Sequence, residues 1–190
     1  NTLNSINRTV MLGRREQALT MLDSLSVLLR YNLADAQMPA LLGEELGITE
    51  EYLKIQKMRF SSRLNVDVRH DRKLEQAVTL PRFTLQPLVE NAVIHGLEPK
   101  EEGGTLILDV RKTGNYIRIR ICDNGMGIEK ERLERIRRRL SEKQPERIGV
   151  WNIWQRLSLY TGRDDSLKIM SKKGAGTIVS IYLHRGEEDV

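Results

Sequence analysis

The sequence predicts an α+β protein in which one mixed β-sheet, covered on one face by helices, follows a helical arm. Three observations carry that prediction. Apolar residues recur at three- and four-residue steps through residues 3–60, they alternate with polar residues in several short runs after that, and Gly and Asn punctuate the runs. The 190 residues, 39% hydrophobic and 30% charged, suit one domain of ordinary size plus a helical appendage and exclude general disorder. A net charge of +5 and a pI near 9.4 permit anion binding, but basic residues are interleaved with acidic ones nearly everywhere. With two Trp, two Phe and no basic run interleaved with aromatics, the chain lacks a stacking platform for nucleic acid, and no nucleic-acid partner is expected.

The elements follow in order. Leu3, Ile6 and Val10, then Leu19, Leu22, Leu25, Leu29 and Leu33, mark two helices with a break at Gly13-Arg14-Arg15, folded back on each other. Leu46, Tyr52, Leu53, Ile55 and Met58 mark another over residues 44–60, with Ala36-Gln37-Met38-Pro39 as a connection. These helices are too few to close a core, so a second copy of the chain or the following domain must cover their apolar stripe. Leu64, Val66 and Val68 alternate with polar residues as a strand, and residues 105–111 and 116–122 read as a hairpin about Thr113-Gly114-Asn115 with Ile117, Ile119 and Ile121 inward. Residues 129–140 and 149–160 read as helices, and residues 166–170 and 177–183 as a closing hairpin turned by residues 172–176. Cys122, the single cysteine, cannot form an intrachain disulfide and is expected as a buried small hydrophobe in a reducing compartment. No run reaches the roughly 18 apolar residues of a membrane span, and the start at Asn1, inside a helical pattern, reads as that of an excised fragment.

One helix has two chemically different sides. Over residues 85–96, Leu85, Leu88, Val89, Ala92 and Val93 form a core stripe while Asn91 and His95, four apart, share a flank. Gly96 is expected to stop this helix, and Pro81 and Pro87 suit the region of its start. A surface Asn and His on an amphipathic helix is in itself ordinary.

Three glycine clusters follow. Asp123-Asn124-Gly125-Met126-Gly127 comes directly after the Ile-rich strand, and such a sequence is either a plain turn or a site where Asp123 accepts a hydrogen bond from an exocyclic amine while Gly125 and Gly127 admit a flat base. Adenine presents that amine and guanine a carbonyl, so the second reading selects ATP over GTP. Gly149 opens a helix whose free N–H groups could face a phosphate, and Gly174-Ala175-Gly176-Thr177 is either a hairpin turn or a ligand loop.

Taken in order, Asn91 on a helix, Asp123-Asn124-Gly125-Met126-Gly127 after a strand, Gly149 opening a helix and Gly174-Ala175-Gly176-Thr177 before the last strand resemble the N, G1, G2 and G3 boxes of the GHKL ATP-binding superfamily. Residues 85–92, Asn1-Thr2-Leu3-Asn4-Ser5-Ile6, Leu29-Arg30-Tyr31 and Tyr52-Leu53-Lys54-Ile55-Gln56 resemble LytS/YesM-type sensor histidine kinases, which extends the likeness to nearly the whole chain. The resemblance implies an α/β sandwich of the Bergerat ATP-binding type over residues 61–186, preceded by a truncated dimerisation and phosphotransfer segment over residues 1–60 and followed by a tail, 187–190. It implies ATP and Mg²⁺ as cofactors. Asn91 would bind the metal, His95 would lie near the phosphates, Asp123, Asn124, Gly125 and Gly127 would form the adenine loop, Gly149, Gly174 and Gly176 would shape the remaining contacts, and Thr177 would support the base. Residues 129–148 would be the ATP lid, carrying Arg132, Arg135, Arg137, Arg138 and Arg139.

Two places depart from the family pattern. Ile94 stands where relatives often carry a basic residue, which moves phosphate neutralisation to His95 or the lid, and Arg147 stands where the G2 box often has another glycine. Hydrolytic relatives use a Glu four places before the metal Asn; here that place is Pro87, and Glu90 is turned about 100° away on the helix. The resemblance therefore implies phosphotransfer to a histidine, expected four residues before Asn1, and onward to a response regulator. Asn1 would match the position that orients water for dephosphorylating that partner. The resemblance further implies a homodimer through the N-terminal helices and the cytoplasmic part of a bacterial protein anchored in the membrane upstream. A GHKL ATPase and a non-catalytic interaction module remain as alternative readings.

Overall fold

The computed structural model describes residues 2–33, 35, 38–143 and 149–184. Helices α1 (Thr2–Met11) and α2 (Arg15–Asn32) meet at a tight turn where Gly13 adopts φ +70°, open to glycine without strain. A short strand β1 (Pro39–Leu41) leads into α3 (Leu42–Phe60), followed by β2 (Leu64–Arg69), α4 (Arg72–Ala77) and β3 (Thr79–Pro81). Helix α5 (Leu85–Asn91) continues into a π-helical turn, Ala92–Leu97. Strands β4 (Gly104–Thr113) and β5 (Tyr116–Asp123), helices α6 (Lys130–Ser141) and α7 (Gly149–Thr161), and strands β6 (Leu167–Lys172) and β7 (Gly176–His184) complete the chain.

The main sheet has the order β2-β4-β5-β7-β6, parallel between β2 and β4 and antiparallel elsewhere, so it is mixed. Its inward residues, among them Leu106, Leu108, Ile119, Ile121 and Ile181, are buried against the apolar stripes of α5, the π turn and α7, including Leu85, Val89, Val93, Ile153 and Leu157. The other face carries Arg118 and Arg120, so helices cover one side only. Cys122 lies on that uncovered face with the arginines and is half-exposed, not in the core as its Ile-rich neighbourhood suggested; burial still pushes its thiol upward. Strand alternation decides this, because Cys122 has the parity of Arg120 and not of Ile121.

Three elements, β1, its partner β3 and α4, escaped the sequence reading. The connection before α3 contains β1, which pairs antiparallel with β3 and staples the arm to the domain, while its residues 36 and 37 lie outside the described region. Helix α4, six residues long with Asp71 capping the Lys73 N–H, is too short to show a period. The arm also packs differently from its sequence pattern. Helix α2 turns Ala18, Met21, Ser24 and Leu28 inward, with the Ser24 hydroxyl 2.7 Å from Glu51 on α3, while Leu19, Leu22, Leu29 and Leu33 stay 50%, 42%, 56% and 87% exposed. Helix α3 is the element that joins the arm to the domain, and the core runs continuously from Ile6 to Leu183. Among the described residues no helix is long and apolar enough to cross a membrane.

Glu45 holds this junction. Its side chain, 1% exposed, accepts hydrogen bonds from the N–H groups of Phe83, Thr84 and Leu85 at 2.7, 2.9 and 2.8 Å and from the Tyr31 hydroxyl at 2.5 Å. These N–H groups are the orphan donors of a helix start, where a carboxylate also meets the positive end of the dipole. Glu45→Ala leaves three buried donors unsatisfied and is expected to cost about 3 kcal/mol or more, read as a lower urea midpoint. Glu44→Ala, next door but half-exposed with only a pair to Arg82, should cost less than about 1 kcal/mol in the same measurement.

Candidate functional site

Between α5, the π turn, α7 and the inner face of the sheet lies a cavity of about 300 Å³. Six residues singled out from sequence line it: Asn91, His95, Asp123, Gly127, Gly149 and Thr177. They come from four separate segments, and the order of strands brings them together. Asp123 ends β5, Thr177 is its register partner on β7, and Asn91 and His95 project from the helix that crosses these strands.

The other four have structural tasks beside the cavity. The Asn124 side chain accepts the Thr105 N–H at 2.7 Å and so fastens the loop to β4. Gly125 passes so close to the π turn that a Cβ there would meet the Gly96 carbonyl oxygen at 2.1 Å. Gly176, at φ +108°, lies against the Asp123 backbone, where a Cβ would come within 1.9 Å of the carbonyl oxygen. Gly174 donates its N–H to Met126 at 2.7 Å, tying the two glycine loops to each other.

Gly96 has a different task from the helix stop expected of it. The helix runs on to Leu97 because the ladder widens by one residue, with the Glu98 N–H bonded to the Val93 carbonyl at 2.8 Å. A Cβ on Gly96 would fall 2.8 Å from Asp123 Oδ1, so its absence makes room for that carboxylate, and the Gly96 carbonyl accepts the Met126 N–H at 2.8 Å. The signal available in the sequence was the small-residue spacing Ala92…Gly96, which marks close approach on one helix face.

Asp123 is the buried charge of the site. Its Oδ1 accepts the Gly125 N–H at 2.9 Å, and burial outweighs this and the Thr177 backbone contact to raise its pKa above the usual carboxylate range. Thr177 is oriented by Ser171, whose hydroxyl lies 2.9 Å from the Thr177 hydroxyl, 2.8 Å from the Gly176 carbonyl and 2.8 Å from the Ile128 N–H. The remaining wall is apolar, including Ile121, Ile128, Ile136, Ile169 and Val179, an environment for a flat ring that periodicity alone could not separate from ordinary core.

Of the arginines in the stretch 129–148, Arg132 lines the cavity. Arg137 turns away and donates from Nε and a terminal nitrogen to the Ile169 carbonyl at 3.1 and 2.7 Å, docking α6 on the edge strand β6. Leu133 and Ile136 bury the same helix, and Arg147 lies outside the described residues. Glu90 does not line the cavity; its charge acts on Tyr52 of α3, whose hydroxyl is raised by burial first and by Glu90 second. His70 follows the end of β2 and His184 closes β7, both remote in sequence from the arm. Among the described residues no three of His, Cys, Asp and Glu gather as a metal cage; Asn91 and Thr177 bring neutral polar side chains to the cavity wall.

Comparison with known proteins follows the same division. A family model described as histidine kinase matches residues 1–64, and one described as histidine kinase-, DNA gyrase B-, and HSP90-like ATPase matches residues 77–187. The chain is 33% identical over 183 residues to the sensor histidine kinase YesM of Bacillus subtilis, covering 96% of this chain and 30% of that protein. It is 29% identical over 194 residues to the sensor protein kinase HptS of Staphylococcus aureus, covering 100% of this chain and 37% of that protein. The chain thus spans about a third of the length of these curated relatives. Among solved structures, the histidine kinase domain of the Erythrobacter litoralis blue-light activated histidine kinase aligns with a TM-score of 0.55 at 17% identity, over 92% of this chain and 82% of that one. The catalytic domain of histidine kinase ThkA aligns at 0.55 and 13% identity, over 77% and 95%; both show the fold.

A carboxyl whose folded pKa lies above its unfolded value binds extra protons in the folded state. Its cost to stability is absent below the unfolded pKa and grows as pH rises through the folded one. Asp123→Asn, which keeps the oxygen facing Gly125, should therefore raise the melting temperature at pH 7 and leave it unchanged at pH 3. A lower melting temperature at pH 7 would contradict the sign of this burial effect.

Proposed function

The chain belongs to the histidine kinase-, DNA gyrase B- and HSP90-like ATPase family, in its sensor histidine kinase branch, and on that premise we propose that it is the Mg·ATP-binding transmitter of a two-component sensor kinase. The observation that carries the proposal is the convergence of Asn91, Asp123, Gly127, Gly149 and Thr177 on one cavity with an apolar wall.

Asp123, ionised, would accept the adenine amine, with Thr177 held beside it by Ser171 and the base lying on Ile121, Ile169 and Val179. Gly96 leaves room for the Asp123 carboxylate, while Gly125 and Gly127 let the loop approach the Gly96 and Lys172 carbonyls. At the other end Asn91 would hold Mg²⁺, with His95, Arg132 and the N-terminus of α7 at Gly149 facing the phosphates. Mg²⁺, when bound at Asn91, would supply positive charge against the triphosphate. The residues otherwise position the nucleotide for an in-line attack by a histidine nitrogen, in which an N–P bond forms, the β–γ oxygen bond breaks and ADP leaves. Pro87 supplies no base for water, and Glu90 faces Tyr52, so hydrolysis is not favoured.

We assign the acceptor role to none of His70, His95 and His184, because none lies on α1 or α2. The phosphoryl group would pass from an acceptor histidine to an aspartate of a response regulator. The exposed stripe Leu19, Leu22, Leu29 and Leu33 on α2 is the surface through which two copies would pair. In this reading the chain is the cytoplasmic part of a sensor whose membrane anchor lies elsewhere.

Calorimetric titration tests the proposal. The chain is expected to bind Mg·ATP in preference to Mg·GTP, and Asp123→Asn should weaken Mg·ATP binding by about 1–3 kcal/mol through the lost acceptor. Asn91→Ala should remove the Mg²⁺-dependent part of the affinity. Absence of nucleotide binding by the wild type overturns the proposal, and steady phosphate release abolished by Asn91→Ala would replace it with a hydrolase.

A further inference from the structure

Residues 82–85, which join β3 to α5, are clamped from two sides. Glu45 of α3 takes the N–H groups of Phe83, Thr84 and Leu85. Arg156 of α7 donates to the carbonyls of Arg82 and Phe83, both at 2.8 Å. Phe83 sits at φ +60°, a left-handed conformation unfavourable for a bulky residue, which persists because both sets of hydrogen bonds fix its peptide groups. The clamped link and the helix that bears Arg156 lead to the same end of the cavity. Helix α5 carries Asn91, and α7 begins at Gly149, where a Cβ would lie 3.9 Å from Asn91 Nδ2.

A single side chain of the arm, Tyr31, touches three residues of this clamp, Glu45, Phe83 and Arg82. The Tyr31 hydroxyl donates to Glu45 Oε1 at 2.5 Å, its ring meets Phe83 edge-on at 5.2 Å, and the Arg82 guanidinium lies 4.9 Å over the same ring. Arg82 in turn pairs with Glu44. Oε1 of Glu45 is shared between Tyr31 and the Phe83 N–H, whereas Oε2 serves Thr84 and Leu85. The orientation of the carboxylate that starts α5 is therefore set partly from α2. The adenine end is built on β5, β7 and their loops and rests on the contacts of Asp123, Ser171 and Thr177.

We propose that Tyr31 is a positioning residue through which helix α2 sets the phosphate end of the nucleotide site, by orienting Glu45 and with it the starts of α5 and α7. This rests on the reading of the cavity as a Mg·ATP site. The arm then senses and biases one half of the site, the half that holds metal and phosphates, and leaves base recognition alone. Such coupling is reciprocal: occupancy that orders α5 and α7 also holds Tyr31 and α2.

Tyr31→Phe is the test, since it removes one hydroxyl and keeps the ring against Phe83 and Arg82. In the 190-residue chain it should weaken Mg·ATP binding about tenfold while adenosine affinity, followed by chemical-shift titration, changes by less than about twofold. Equal loss for both ligands, or loss for neither, overturns the proposal and leaves the nucleotide reading intact. A wild type that binds neither ligand overturns both. Should the variant not melt cooperatively, hydrogen exchange of the wild type decides: Mg·ATP should slow the amides of α2 around Tyr31 about tenfold, and unaltered exchange in protein shown to bind Mg·ATP overturns the coupling.

Discussion

The structure depends on a carboxylate shut away from water. Burying an ionised group is costly unless its oxygens are all engaged, and Glu45 meets that condition with three backbone N–H groups and one hydroxyl. The consequence is geometrical as much as energetic. The donors belong to consecutive residues, so the carboxylate fixes the direction in which the chain leaves β3 and enters α5. Everything on α5 and the π turn beyond it, including Asn91 and His95, inherits that direction. Arg156 completes the arrangement by holding carbonyls of the same link, although burial lowers its own pKa.

The nucleotide site is built on the opposite principle. Asp123 meets two backbone groups, of Gly125 and Thr177, where Glu45 has four donors in all, and burial outweighs them to raise its pKa. A carboxylate left short of partners in a cavity is held ready for a donor from outside, whereas one fully bonded by the fold is structural. The contrast between these two acids, both buried, separates function from architecture more clearly than residue type does. Close packing around Asp123 explains the glycines: Gly96, Gly125 and Gly176 each lie where a Cβ would strike neighbouring atoms.

Much of this was legible in the chain itself. The alternation of Ile117, Ile119 and Ile121 gave the central strand and its inward face, and the stripe from Leu85 to Val93 gave the crossing helix. The glycine clusters, read in order, gave the segments that converge on the cavity. What was misread has physical causes. Cys122 was judged by its neighbours when strand parity governs its side. Gly96 was judged by a helix-ending propensity that a π turn overrides. The leucine stripe of α2, expected to need a second copy or the following domain to cover it, stays exposed at Leu19, Leu22 and Leu29, while the contacts with α3 bury Ala18, Met21 and Leu28.

The sequence by itself determined the elements with a strong period, the fold class and the residue types at the cavity, because periodicity and turn chemistry are local properties. Only the tertiary structure decided which of those residues meet. It brought Asp123 beside Thr177 through antiparallel register, set Asn91 near Gly149 across two helices, moved Asn124 into a loop bond with Thr105, and joined Tyr31 to Glu45 and Phe83. Those pairings join positions far apart in the chain, and neither spacing nor composition records which distant donor will satisfy a buried acceptor.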